Sequence, residues 1–326
     1  MLTAFRLTNG QTISLCVACC TTASMPHGAV RDVARAVRAF GSVRTALLSE
    51  SAMPTSDGEY VFVVPSGTKL SKIRRLAQLV ESDLFLICDP DLTVREDGCC
   101  AVVSNALKEA AKGSEVVAFG VVEGKNDGTL LSQIIAVDKW FSHRVLRPFL
   151  WAAGIGVTLP GQFLLVSASL LRSLDPAVDS YLDDLYLGWV ARRRRVRLLR
   201  LATVVGEEDA RSSWASLLTQ RLRWMKGIAS LSSHLARHPS ALALIGVHYI
   251  AYHGLPILWM TLVVLLGCAN LLAGVGVVFS LATVLSVLSG RSILACVAFL
   301  GVFPLVHVAA TLTWWIPVNR SALTRR

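Results

Sequence analysis

The chain has 326 residues, of which 53% are hydrophobic and 17% charged, with a formal net charge of +10 and a mean hydropathy of +0.55. Ordinary soluble domains carry about 25% charge, so this composition argues against a purely soluble protein. It excludes disordered, collagen-like and small disulfide-scaffold classes, because apolar content is too high and Gly, Pro and Cys are too dilute.

Met1–Gly10 is polar and lacks the apolar stretch of a signal peptide, so none is expected. Ile13–Cys20 then reads as a buried strand, and Gly28–Phe40 as a helix with Val30, Val33, Ala34 and Val37 on one stripe. Val43–Leu48 and Tyr60–Val64 read as strands, Ser71–Val80 as a helix, and Leu84–Cys88 as a strand running directly into Asp89-Pro90-Asp91. A helix over Asp97–Ala111 and a strand at Glu115–Val122 follow. Strands alternating with helices predict a mostly parallel α/β sheet, whose ligands bind at the carboxyl ends of the strands.

Asp89 and Asp91 sit at such an end. Two carboxylates one residue apart on a turn can hold a divalent ion, and Mg2+ or Mn2+ takes oxygen ligands, commonly one or two carboxylates plus substrate phosphates. Asp-x-Asp alone also serves as a turn or helix cap. The run Lys139–Arg144, with Leu146, Phe149, Leu150 and Trp151, is amphipathic and basic. It reads either as a membrane-surface segment or as a core-facing helix with a solvated basic side.

Asp183-Asp184 opens a helix that runs into Arg192–Arg195. Paired acids there either complement the helix dipole or provide a general base. The arginine run reads as a solvated face or an anionic-lipid contact. Gln220, Arg223 and Trp224, at i, i+3 and i+4, share one face of a helix just before the apolar tail. Basic charge also suits nucleic acid, but no RNA- or DNA-reading motif accompanies it, so none is expected as a partner.

From Ala241 to Ile316 there is no Asp, Glu or Lys, and Arg291 is the only Arg. The first 240 residues hold 28 of the 32 Lys and Arg and all 22 Asp and Glu, a net charge of +6. Apolar blocks near Ala243–Leu265, Ala269–Leu288 and Ile293–Ile316 leave room for roughly three crossings of about 20 residues each. Trp259, Trp314 and Trp315 are placed as an aromatic belt. The basic region before Ala241, Arg291 and the terminal Arg320, Arg325 and Arg326 all favour the cytoplasm, which an odd number of crossings does not satisfy. The expected organisation is a cytosolic domain over 1–240 and a membrane domain over 241–326 with about two to four segments. His248, His253 and His307 within the tail mark either a functional pocket or helix-packing hydrogen bonds. The eight cysteines lack metal-site spacing and read as buried free thiols, consistent with a reducing compartment.

Asp89-Pro90-Asp91, then Asp183-Asp184, then Gln220-x-x-Arg223-Trp224 before apolar helices resemble, in order, the motifs of family 2-type membrane glycosyltransferases with a GT-A fold. The likeness is closest to the branch of ceramide glucosyltransferases and bacterial lipid and hopanoid glycosyltransferases. Ile87–Val94 resembles the metal-site strand of that branch, Lys72 its Pro-Lys-Val-x-Asn-Leu segment, and Tyr181–Gly188 its Tyr-x-Ala-Glu-Asp-Tyr-x-x-Gly stretch. The resemblance implies an inverting transfer of one sugar, glucose by family likeness, from a UDP-sugar to a membrane lipid such as ceramide, diacylglycerol or a hopanoid. It assigns the metal, Mg2+ or Mn2+, to Asp91 with Asp89, and nucleotide-sugar contacts to Lys72, Arg223 and an early acid that is either Glu50 or Asp57. Asp184 becomes the catalytic base, with Asp183, Gln220, Arg223 and Trp224 on the acceptor and diphosphate side. Leu182-Asp183-Asp184 departs from the usual Ala/Thr-Glu-Asp by one shortened acid, and the N-terminal membrane helix of many members is not found here. Processive polysaccharide synthases share the Gln-x-x-Arg-Trp motif, although a short tail argues against a polymer channel. A degenerate, non-catalytic membrane scaffold is the third reading.

Overall fold

The computed structural model describes residues 5–6, 12–21, 28–40, 43–50, 59–64 and 67–314. In chain order the elements are β1 (Phe5–Arg6), β2 (Thr12–Ile13), β3 (Leu15–Cys20), α1 (Gly28–Val37), β4 (Arg44–Ser49), β5 (Glu59–Val63), α2 (Lys69–Leu79), β6 (Leu84–Cys88), β7 (Leu92–Val94), α3 (Glu96–Ala110) and β8 (Val116–Gly124). Then come α4 (Leu130–Phe141), a π-helical turn (Ser142–Leu146), α5 (Arg147–Ala152), β9 (Phe163–Ser167), α6 (Ala168–Arg172), α7 (Asp183–Arg193), β10 (Arg197–Glu208) and α8 (Trp214–His234). The remainder is helical: α9 (Pro239–Tyr249), a second π turn (Ile250–Gly254), α10 (Leu255–Ala269), α11 (Leu271–Ser289), α12 (Ile293–Gly301) and α13 (Phe303–Thr313).

Packing groups these elements into two units, residues 1–122 with 158–208, and residues 123–157 with 209–326. This grouping follows contacts, whereas the compositional division at residue 240 follows charge.

The first unit is built on an eight-stranded sheet of order β5-β4-β3-β6-β9-β8-β10-β7. β5, β4, β3 and β6 are mutually parallel, β9 runs antiparallel to both β6 and β8, and β10 is antiparallel to β7. The alternation of each strand decides its faces. Val17 and Cys19, Leu84, Leu86 and Cys88, and Phe163 and Leu165 join a core with Val30, Val33 and Val37 of α1 and Val102, Val103 and Ala106 of α3. The expected stripe on α1 is therefore the buried one. The strand expected from Ile13 starts cleanly only at Leu15, because the Ser14 backbone N–H and hydroxyl both donate to Asp83 Oδ2 at 2.7 Å. α3 lies so close to β10 that a Cβ on Gly98 would stand 1.9 Å from the Val204 carbonyl oxygen.

The thiols are free as expected, but not all are buried: Cys16, Cys19, Cys88, Cys99 and Cys296 are, whereas Cys20 and Cys100 are half-buried and Cys268 is exposed. Desolvation pushes Cys16 and Cys99 up to about 12, so neither is a thiolate at neutral pH.

In the second unit, three stretches among the described residues are long and apolar enough to cross a membrane: Pro239–Ala269, Leu271–Ser289 and Ile293–Thr313. They match the three blocks expected from composition. Only 11% of the most apolar window is buried in the first and second, against 44% in the third, so most apolar side chains of the first two are left at least partly uncovered. The turn between the second and third is tight. Gly290 ends α11 with a left-handed φ of 66°, and Ser292 caps α12 by accepting the Ala295 N–H at 3.2 Å. Trp259 Nε1 donates to the Leu300 carbonyl 2.8 Å away, which ties the first stretch to the third. Trp314 is 39% exposed. Trp315, Arg320, Arg325 and Arg326 lie outside the described residues.

Candidate active site

The carboxyl ends of β4 and β6 supply the first acids of the site. Glu50 directly follows β4, and its Oε1 accepts from Lys72 Nζ at 2.8 Å. Asp57, the alternative early acid, lies outside the described residues. Asp89 follows β6 and is 5% exposed, its backbone N–H donating to the Gln162 carbonyl at 2.9 Å. Two residues on, Asp91 is half-buried on the same turn. The turn is braced by β7, whose Leu92 pairs with Glu208 of β10.

α2 begins at Lys69, two residues earlier than periodicity indicated, because Thr68 caps it by accepting the Ser71 N–H at 3.3 Å. This start brings in a residue that the sequence reading passed over. Lys69 Nζ lies 2.7 Å from Asp89 Oδ1 and 3.7 Å from Asp183 Oδ2, and it also donates to the Gly161 carbonyl. The only local signal was its i, i+3 relation to Lys72, which puts both ammonium groups on one side of α2.

Asp183 and Asp184 occupy the first turn of α7, as expected, where the helix dipole favours negative charge. Asp183 is buried. Asp184 is half-buried, and its Oδ1 accepts the Leu185 N–H at 2.8 Å, which fixes the carboxylate at the helix start. Gly161 packs against the pair: a Cβ there would stand 3.6 Å from Asp184 Cβ and 3.9 Å from Asp183 Oδ2. One edge of the sheet thus gathers Glu50 with Lys72, and Asp89 with Asp183 through Lys69. At the far end of α7 the four arginines Arg192–Arg195 are exposed, and Arg194 grips Glu115 with two nitrogens at 2.7 and 3.2 Å.

Among the described residues no three His, Cys, Asp or Glu side chains are gathered into a ready-made metal cage. Asp89 and Asp91 instead offer two hard carboxylate donors on one turn, the number Mg2+ or Mn2+ takes from protein when substrate phosphates complete its shell. The donor chemistry fits that ion.

Gln220, Arg223 and Trp224 belong to the second unit, all three half-buried on α8. A Ser213–Ser216 capping box with both bonds at 3.2 Å starts that helix. The buried arginine here is Arg221, which the motif did not single out. Its Nη2 lies 2.7 Å from Asp138 Oδ2 of α4, and its guanidinium carbon is 4.1 Å from the Trp224 ring centroid. The signal available was the i, i+3 pairing of Arg221 with Trp224. The tail histidines include a packing pair, His253 and His307, whose Nδ1 atoms are 3.2 Å apart. In the Lys139–Trp151 run, Leu146 and Leu150 pack against Ala251, while Val145 and Phe149 are 40% and 64% exposed. The run has both a core side and an uncovered apolar side.

No protein-family model and no curated protein sequence matches the chain. Among solved structures, the mannosyltransferase PcManGT from Pyrobaculum calidifontis, in complex with GDP-Man and Mn2+, matches 93% of this chain and 87% of its own at a TM-score of 0.53 and 12% identity. Glucosyl-3-phosphoglycerate synthase from Mycobacterium tuberculosis, in complex with Mn2+, UDP and glucosyl-3-phosphoglycerate, matches 68% of this chain and 79% of its own at a TM-score of 0.45 and 18% identity. The chain has the α/β, GT-A-type fold that the sequence led one to expect, a mostly parallel sheet followed by apolar C-terminal helices.

Proposed function

We propose that the chain is a metal-dependent inverting glycosyltransferase that moves one sugar from a UDP-sugar to the hydroxyl of a membrane lipid. By family resemblance the sugar is glucose and the lipid is of the ceramide type. Residues 1–240 are the catalytic part on the cytoplasmic side, and residues 241–326 enter the bilayer more than once. The observation that carries this reading is the meeting of Asp89 and Asp183 around Lys69 at the carboxyl edge of a GT-A sheet. In that fold, PcManGT holds GDP-Man with Mn2+.

Asp91 with Asp89 would hold the metal, which when bound neutralises charge developing on the diphosphate leaving group. Lys72 adds a charge-assisted contact to phosphate, and Glu50 orients Lys72 while contributing to nucleotide binding. Asp184 takes the proton of the acceptor hydroxyl while its oxygen bonds to the anomeric carbon and the bond from that carbon to the diphosphate oxygen breaks, inverting the centre. Family resemblance assigns Arg223 to the diphosphate, and Asp183, Gln220 and Trp224 to the acceptor side.

A lipid acceptor is supported by the three apolar stretches and by the uncovered Val145 and Phe149, one helical turn apart and flanked by Lys139 and Arg144. Apolar side chains rimmed by cations suit the headgroup boundary of a bilayer. The test is substitution at the two poles of the chemistry. Asp184→Asn and Asp91→Ala are each expected to lower transfer by about a hundredfold or more in detergent-purified protein, and full activity in either sinks the assignment of roles.

A further inference from the structure

Lys69 presents an unusual arrangement for a divalent-metal site, because the acids already have a cation of their own. Its side chain is only 8% exposed, against 7% for Asp89 and 12% for Asp183. A buried ammonium is costly unless its charge is paired and its donors are used. Here it is paired twice and also donates to the Gly161 carbonyl, so three chain segments (the turn after β6, the loop before β9 and the start of α7) converge on one nitrogen. The neighbouring Lys72 has its own carboxylate in Glu50 and does not duplicate this role. The ammonium and a divalent ion both seek the Asp89 carboxylate, and two cations crowded on one carboxylate in a poorly hydrated site repel each other.

We propose that Lys69 is a built-in counter-cation that neutralises Asp89 and Asp183 in the donor-free protein, so that the divalent metal binds tightly only together with the nucleotide diphosphate. This rests on the reading of Asp89 and Asp91 as metal ligands. The diphosphate brings anionic oxygens that give the metal further ligands and offset its repulsion from Lys69. Metal and nucleotide therefore raise each other's affinity, as linkage requires of any such coupling. Lys69 acts through the carboxylates and is a positioning residue.

The experiment is Mn2+ binding to the full chain in detergent, read by loss of the free-ion electron paramagnetic resonance signal, with and without UDP. In the unsubstituted protein, UDP is expected to tighten Mn2+ binding at least tenfold. Lys69→Met is expected to bind Mn2+ alone at least tenfold more tightly than the unsubstituted protein and to lose most of the gain from UDP, whereas Lys69→Arg keeps the original behaviour. Lys69→Gln, polar and uncharged, takes the place of Lys69→Met if the latter does not fold. Tight Mn2+ binding by the unsubstituted protein without UDP overturns the proposal, as does unchanged Mn2+ affinity in the neutral variant. If no form binds Mn2+ even with UDP, the metal reading itself fails. If all forms bind Mn2+ with UDP while the neutral variant matches the original without it, only the role of Lys69 falls.

Discussion

Arg221→Met probes what holds Trp224 and the middle of α8 in place. The Arg221 side chain is 4% exposed and its partner Asp138 24%, with 2.7 Å between Nη2 and Oδ2. The guanidinium also lies 4.1 Å from the Trp224 centroid and 5.2 Å from that of Phe303. Methionine preserves much of the apolar stem and strands the Asp138 carboxylate. Removing one member of a buried ion pair costs about 3–5 kcal/mol, and a carboxylate that is a quarter exposed recovers part of that through water, leaving ~3 kcal/mol. The lost cation–π contact adds about 1 kcal/mol. At about 2–4 °C per kcal/mol, the sum lowers Tm by roughly 8–16 °C. The assay is a tryptophan-fluorescence melt in detergent, run beside Arg221→Met combined with Asp138→Leu. An apolar pair in place of a buried ion pair is close to neutral, so the double variant is expected to melt well above the single one. A single variant melting within roughly 2 °C of the original, or a double variant melting lower still, refutes the account of this pair.

Gly98→Ala places a methyl 1.9 Å from the Val204 carbonyl oxygen, and overpacking of this kind costs about 1–3 kcal/mol or more, measurable in the same melt. Asp184→Asn is expected to lower kcat by about 10²–10⁴-fold, the usual contribution of a general base, while UDP still binds by calorimetry; loss of UDP binding would instead make Asp184 a donor-site residue. Burial, reinforced by the charges of Arg147, Lys139 and Arg144, holds His143 well below its ordinary value of 6.5. A depressed pKa in the folded state means the unfolded chain takes up the proton first, so stability is expected to fall as pH drops below 6.5, with a shallower slope in His143→Phe. Phe149→Asp is expected to reduce transfer to vesicle-borne lipid more than transfer to detergent-dissolved lipid, since the ring is exposed and the proposed reading docks it on the bilayer.

The sequence carried the parallel half of the sheet because β3, β4, β6 and α1 have strong local periodicity, and their partners are close in sequence. β9 and β10 escaped it for a physical reason. β9 is a short apolar run whose antiparallel placement between β6 and β8 is decided by distant strands, and β10 mixes arginines into its first half where the face is open. The tail was legible as three blocks from charge depletion alone, but charge depletion says nothing of the π turn at Ile250–Gly254 or the break at Val302, whose only marks are Pro256 and Pro304 in the first turn of the helices that follow. At the site, the positions of Asp89, Asp183 and Asp184 followed from strand and helix ends. Lys69 did not, because its importance comes from a tertiary meeting with Asp89 and Asp183, and its i, i+3 spacing to Lys72 alone does not mark a buried lysine. Arg221 was hidden in the same way behind Arg223, its pairing with Asp138 being visible only once α4 and α8 are packed.

Donor turnover tests the central claim most directly. The detergent-purified chain is incubated with Mn2+ or Mg2+, a panel of UDP-sugars and a mixed bacterial lipid extract, with UDP release and lipid mass read together. The account predicts metal-dependent UDP release matched by the mass gain of a single hexose on a lipid. Release of UDP with a growing polymer, or no release with any donor from folded protein, contradicts it.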